Sequence, residues 1–250
     1  MTDRYLALAT DYDGTIATHG VVGVDTIRAL ERARTAGVKL VLVSGRERES
    51  LRRTFDRFEL FDWMVLENGG LLFEPATGRE RALCDPPPAR FVQALHERGV
   101  QPLSLGRVIL ATVEPHETVV LETIRDLGLE YQVIFNKGAV MVLPAGVTKA
   151  SGPREALAGL QIDPSSTVGV GDAENDHALL ELCGIGAAVA NALPALKERA
   201  DIILRHDHGA GVSELIDRLL EGSLRTTSKR AVPTLPADAA ALHDEVVPDA

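Results

Sequence analysis

The sequence predicts an α/β protein: a parallel sheet with helices on both faces, interrupted by a smaller α+β insertion. Three observations carry this. Apolar strand-like runs alternate with helix-period segments in the first third of the chain and again after its middle. The stretch between them changes rhythm. The chain, 250 residues with 45% hydrophobic and 25% charged residues, is long enough to bury a full core and an insert.

RYLALAT (4–10) reads as a buried strand. VDTIRALERARTAG (24–37) is a helix whose Ile27, Leu30 and Ala33 share a face and whose Gly37 supplies the stop. The strand VKLVLVS (38–44), the helix ERESLRRTF (47–55) and the strand DWMVLE (62–67) follow. Strand–helix–strand order at this spacing implies right-handed crossovers and parallel pairing. GGLLFEPATGRERAL (69–83) reads as a hairpin and CDPPPA (84–89) as a Pro-rich boundary. Residues 88–146 then give α-β-β-α-β-β: PARFVQALHERG, VQPLSL, GRVILATVE, HETVVLETIRDLG and the hairpin YQVIFNKGAVMVLPAG. The first rhythm resumes with a helix from 149, strand SSTVGVG, a helix from 174, strand IGAAVA, helix ALPALKERA, short strand DIIL and helix GVSELIDRLLEG. The expected organisation is a core of 1–84 and 147–221, an insertion of 85–146, and a flexible tail or linker of 222–250, which can contact another domain or protein.

The net charge of −10 argues against a nucleic-acid partner, although local cations can still hold an anionic small molecule. Cys84 and Cys183 fit neither a disulfide framework nor a metal spacing and are expected as two buried thiols. No apolar run reaches membrane-spanning length and no basic-then-apolar leader opens the chain, so a soluble, cytoplasmic protein is expected.

The chemistry gathers where strands end. ATDYDGTIATHG (9–20) puts Asp11 and Asp13 two residues apart, followed by Gly14 and Thr15. On extended chain these carboxylates face one side and repel unless a cation sits between them. A strand-ending Asp-Gly turn would look the same. VLVSGR (41–46) ends the next strand with Ser44, Gly45 and Arg46, either a polar turn with a helix cap or a hydroxyl and free N–H groups aimed at an oxyanion. Lys149 stands where the chain re-enters the core; it is a solvated charge or, since it opposes the helix dipole, the partner of an anion. VGVGDAENDHALL (168–180) ends a strand at Gly171-Asp172 and opens a helix with Glu174, Asn175 and Asp176. Acidic residues in a first turn also serve the helix dipole, but Asp172 lies at the usual ligand edge of an open α/β sheet.

In order and composition, DxDGT, SGR, Lys149 and GDxxND resemble the motifs of the haloacid dehalogenase superfamily of phosphohydrolases. AAVANALPALKERADIIL with GVSELI looks like the group, subfamily IIB, that carries an α/β cap between the second and third motifs. The resemblance spans roughly residues 5–220. It implies a Rossmann-like core with a cap, and an enzyme hydrolysing a small phosphomonoester such as phosphoglycolate or a sugar phosphate. It further implies Asp11 as the nucleophile that forms an aspartyl-phosphate and Asp13 as acid and then base. Mg2+ would be held by Asp11, the Asp13 carbonyl, Asp172 and Asp176, an oxygen set suited to that ion. Ser44 and Lys149 would hold phosphoryl oxygens, with Gly14, Thr15, Gly45, Arg46, Asn68 and Asn175 around the substrate.

Three rival readings stand beside this one, with hydrolysis the default. A D-x-D pair in a nucleotide-sugar glycosyltransferase leaves Ser44, Lys149 and the second acidic cluster unused. A non-enzymatic phosphoaspartyl or phosphate-sensing module has no use for Asp13. A phosphomutase or phosphotransferase of the same superfamily shares all the motifs. His206-Asp207-His208 reads as a polar loop, His19 and His177 flank the motifs with no fixed orientation, and Tyr12 should point away from the two aspartates into the core.

Overall fold

The computed structural model describes residues 5–224, so the tail expected from 222 lies almost wholly outside the described residues. The chain first forms β1 (Ala7–Asp11), a small hairpin of β2 (Ala17–Thr18) and β3 (Val21–Val22), α1 (Val24–Thr35), β4 (Lys39–Val43), α2 (Arg48–Arg52), β5 (Trp63–Leu66), β6 (Leu71–Glu74) and β7 (Arg79–Ala82). An insert follows, made of α3 (Ala89–Glu97), β8 (Ser104–Leu105), β9 (Leu110–Val113), α4 (Glu117–Asp126), β10 (Tyr131–Asn136) and β11 (Ala139–Pro144). The chain then returns through α5 (Ser151–Gly159), β12 (Thr167–Gly171), α6 (His177–Leu182), β13 (Ile185–Ala188), α7 (Pro194–Lys197), β14 (Ile202–Ile203) and α8 (His208–Leu220).

The main sheet has the order β14-β13-β12-β1-β4-β5-β6-β7. All its pairs are parallel except β5–β6 and β6–β7, where the hairpin is appended. Strand alternation divides its side chains between two cores. Leu8, Leu40, Leu42, Met64, Val168 and Val170 enter the cluster with Leu30 of α1 and Leu215 of α8. Ala7, Ala9, Val41, Val43 and Val65 enter the other, against Ala156 and Leu157 of α5 and Leu179 of α6. Strands buried on both faces explain the unbroken apolar runs in the sequence.

The insert builds its own antiparallel sheet in the order β10-β11-β9-β8. Phe91 and Leu95 of α3 and Val120 and Ile124 of α4 pack on one face of it with Leu110 and Val142. Its other face, with Ile109, Met141 and Leu143, is covered as well. A Cβ on Gly45 would lie 3.2 Å from the Met141 sulfur, and one on Gly70 would lie 2.4 Å from Val108. That second face therefore rests on the core.

Several elements differ from the sequence pattern. α2 is shorter than 47–55 because Phe55 leaves the helix to pack among Tyr12, Phe58 and Phe61. α7 starts only at Pro194, the residue that suits a first helical position. α8 starts earlier than expected, at His208, and takes in Gly209, where a Cβ would lie 2.0 Å from Thr26 Oγ1. Cys183 is buried as expected but Cys84 is only partly so, since the boundary segment that carries it runs along the surface. Among the described residues no helix is long and apolar enough to cross a membrane.

Candidate active site

β12, β1 and β4 are parallel neighbours, so the segments that follow them leave the sheet at one edge. Asp11 closes β1, Ser44 follows β4, and Asp172 follows β12. Lys149 arrives from the loop before α5. That loop crosses the turn after β5 so closely that a Cβ on Gly69, at φ +109°, would lie 1.9 Å from the Thr148 carbonyl oxygen.

Lys149 is not a solvated charge. It is 1% exposed, and its Nζ lies 2.6 Å from Asp11 Oδ1 and 2.6 Å from Asp176 Oδ1. Asp176 also serves the turn, its Oδ2 accepting from the N–H groups of Asp172 and Ala173 at 2.9 and 3.0 Å. Asp172 Oδ1 accepts from the Thr15 hydroxyl at 3.4 Å. Its Oδ2 accepts from Lys137 Nζ at 2.6 Å, a side chain of the insert. Gly14 makes this approach possible: at φ +88°, a Cβ there would lie 2.2 Å from Asp172 Oδ2. The Gly14 carbonyl accepts from Asn191 Nδ2 and from His208 Nδ1, both at 2.8 Å, which fixes the loop after β1.

Burial and the neighbouring Asp176 carboxylate raise the Asp11 pKa to about 7, against the opposing pull of Lys149. Burial also raises Asp172, with Lys137 opposing it. Burial alone would lower Lys149, but Asp11 and Asp176 outweigh it and hold the ammonium charged far above neutral pH.

One carboxylate oxygen each of Asp11, Asp172 and Asp176 lies within 4.8 Å of the others. Asp11 Oδ2 is buried with no hydrogen-bond partner. Three hard carboxylate oxygens gathered this closely fit a small divalent cation such as Mg2+. The Asp13 carboxylate stands outside this group. Both its oxygens accept from Arg46, at 2.6 Å from Nε and 2.7 Å from Nη2. These hydrogen bonds raise the Arg46 pKa further. Tyr12, between the aspartates, points into the core and donates to the Gly20 carbonyl at 2.7 Å.

Ser44 Oγ accepts the Arg46 N–H at 3.1 Å and the Ser44 carbonyl accepts the Asn68 N–H at 3.0 Å. Asn175 Nδ2 donates to Asn68 Oδ1 at 2.9 Å, linking the loops after β5 and β12. Glu67 and Asn68 both sit in the left-handed region, at φ 51° and 54°. Such strain costs about 1–2 kcal/mol per residue and must be held from outside. Glu67 supplies the hold: its buried carboxylate accepts the N–H groups of Arg107, Val108 and Ile109 of the insert at 2.9, 2.8 and 3.0 Å. The neighbouring Gly106 is required, because a Cβ there would lie 2.6 Å from that carboxylate.

The structure thus joins Asp11, Gly14, Thr15, Lys149, Asp172 and Asp176 in one network, with Ser44, Gly45, Arg46, Asn68 and Asn175 beside it. His206 pairs with Glu214 at 3.1 Å, and a cavity of about 710 Å3 lined by Thr26, His206 and Glu214 contains none of the cluster. His19 is exposed and makes no bond to the carboxylates, and neither does His177. Sequence reasoning missed Lys137, Glu67, Asn191 and His208. Only the Asn-Lys-Gly hairpin turn and a Glu ending an apolar run hinted at the first two.

The sequence profile of the haloacid dehalogenase-like hydrolases matches residues 8–97 and 107–216. The chain is 30% identical over 227 residues to phosphoglycolate phosphatase 2 of Saccharolobus solfataricus, covering 87% of this chain and 94% of that protein. It is 30% identical over 224 residues to the phosphoglycolate phosphatase of Methanothermobacter thermautotrophicus, covering 86% and 98%. Among solved structures, Thermoplasma acidophilum 0175 superposes with a TM-score of 0.73 at 15% identity, covering 86% of this chain and 98% of that one. A HAD subclass IIB sugar phosphatase superposes with a TM-score of 0.69 at 21% identity, covering 85% and 98%.

Proposed function

The chain belongs to the haloacid dehalogenase-like hydrolase family and is a phosphatase of small phosphates, and we propose that it hydrolyses phosphoglycolate, or a closely similar phosphorylated acid, through an aspartyl-phosphate on Asp11. The observation that carries the mechanism is the asymmetry of Asp11. Lys149 holds one oxygen, while the other is buried and unpaired at the edge where three motif-bearing strands end.

That free Oδ2 attacks phosphorus as the bond to the leaving alkoxide oxygen breaks, and Asp13 gives its proton to that oxygen. Water then attacks the aspartyl-phosphate, Asp13 takes the water's proton, and phosphate leaves with the Asp11 carboxylate restored. Because Arg46 occupies both Asp13 oxygens, that pair opens for each proton transfer, and the guanidinium turns to the substrate. Ser44 and Lys149 hold phosphoryl oxygens, with Gly14, Thr15 and Gly45 leaving room for them. Asn68 and Asn175 border the leaving-group side. Asp11, Asp172, Asp176 and the Asp13 carbonyl would hold Mg2+, which would supply positive charge against the phosphoryl oxygens. The insert, about residues 85–146, acts as the cap that excludes water over this edge.

The test is to quench turnover of phosphoglycolate with acid and reduce the protein with borohydride. An aspartyl-phosphate at position 11 becomes homoserine, read by peptide mass spectrometry. Release of phosphate without modification of Asp11 would overturn the mechanism.

A further inference from the structure

We propose that Lys137 is the specificity-determining residue of the insert, the cation that takes the substrate's carboxylate while the core motifs take its phosphoryl group. This rests on the phosphoglycolate reading above and assigns a part of it that the core motifs leave open.

Lys137 and Gly138 form the two-residue turn between β10 and β11, with Asn136 paired to Ala139 on either side. Both turn residues are left-handed, at φ 50° and 84°, the geometry of a type I′ hairpin turn. Asn, Asp or Gly suits the first of these positions, whereas a lysine there carries left-handed strain of about 1 kcal/mol. Turn formation therefore does not account for this residue. What the turn achieves is aim. It holds a stiff hairpin tip over the core, and Nζ reaches 2.6 Å from Asp172 Oδ2.

Three further features favour a substrate contact over a fixed strut. The Lys137 side chain remains 49% exposed while its partner is 2% exposed, so the lysine reaches the buried carboxylate from the solvent side of the site. Among the described residues it is the one Lys or Arg of the insert that pairs with a core carboxylate, since Arg98 and Arg125 pair with Asp126 inside the insert. And Asp172 belongs to the carboxylate set suited to a divalent cation. A divalent cation held by that set would compete with the ammonium for Asp172, and an ammonium so displaced needs another partner. A short substrate bearing a second anion supplies a new one.

The phosphoryl end cannot discriminate, because every phosphomonoester presents the same oxygens to Asp11, Ser44 and Lys149. The distal end can. A carboxylate on Lys137 makes one charge-assisted pair, and removing it is expected to cost about 10- to 100-fold in selectivity.

The experiment compares phosphoglycolate with 2-hydroxyethyl phosphate, which has the same length and no carboxylate, on wild type, Lys137→Met and Lys137→Arg. Lys137 lies in an exposed turn outside every hydrophobic cluster, so the variants are expected to fold. Wild type should favour phosphoglycolate. In Lys137→Met the ratio of kcat/KM values for the two substrates should fall at least about tenfold, mainly through KM for phosphoglycolate, and Lys137→Arg should keep more of the preference. Calorimetric titration with Mg2+ alone gives a reading independent of turnover: Lys137→Met should bind the ion more tightly, because no ammonium competes for Asp172. A wild-type preference that survives in Lys137→Met overturns the assignment of Lys137 and leaves the phosphoglycolate reading standing. Equal losses on both substrates also overturn it, since they would make Lys137 a general support of the core. A wild type that does not hydrolyse phosphoglycolate overturns both.

Discussion

Replacing Glu67 by Ala should loosen the insert from the core. The side chain removed accepts three backbone N–H groups, of which those of Val108 and Ile109 belong to buried residues while Arg107 is exposed and can turn to water. Each buried N–H left without a partner costs about 1–3 kcal/mol, hence about 2–6 kcal/mol for the two. Removal of a buried carboxylate and entry of water into the space recover part of this, leaving a net loss of about 2–4 kcal/mol. For a chain of this size that lowers Tm by about 5–15 °C. Glu67→Gly should melt higher than Glu67→Ala by about 1 kcal/mol, because glycine relieves the left-handed backbone that alanine retains. Scanning calorimetry measures the midpoints, and hydrogen exchange should show lost protection at the amides of 107–109 ahead of the central strands. A Glu67→Ala protein melting within about 2 °C of wild type, with those amides still protected, would show that Glu67 does not hold the insert.

Other expectations concern the carboxylate cluster. Asp11→Asn keeps the shape but removes the attacking charge, so phosphate release under saturating Mg2+ should fall by about 1000-fold or more; near-normal turnover would sink the nucleophile. Lys149→Met leaves Asp11 and Asp176 facing each other while buried, and should destabilise the metal-free protein by about 3–5 kcal/mol, read by urea denaturation; a loss under about 1 kcal/mol would mean that the pair is not stabilising. With its pKa raised from 3.8 to about 7 by burial and Asp176, Asp11 binds a proton in the folded protein that the unfolded chain has already released. Its contribution to metal-free stability should therefore fall as pH rises from about 4 to about 7 and then level off, while Mg2+ affinity climbs over the same window. Chelator-treated Asp11→Asn should lack that component of the pH slope; an identical slope in both proteins would assign it to other groups.

Much of this protein was legible in one dimension because its chemistry sits at strand ends. A parallel strand buried on both faces announces itself as an apolar run such as LALA or VLV. The polar residues that interrupt such runs, Asp11, Ser44 and Asp172, are thereby marked as lying on one sheet edge. Local order also made the insert visible, through the proline boundary and the change to α-β-β-α-β-β. Spacing along the chain carried no information about contacts across it. Nothing in KASG distinguishes a surface lysine from one buried between Asp11 and Asp176, and nothing in FNKG tells which way a hairpin tip points. The early start of α8 was hidden because Gly209 and Gly211 weaken helix propensity, while the close approach that requires Gly209 comes from Thr26 in α1, far away in sequence. Lys137 on Asp172, Glu67 on the amides of 107–109 and Arg46 on Asp13 are all pairings between separate elements. Hydrophobic period sets which face of an element is buried. Only the packing of the insert against the core decides which charges then meet, because charge pairing acts over a few ångströms in space, whatever the separation in sequence.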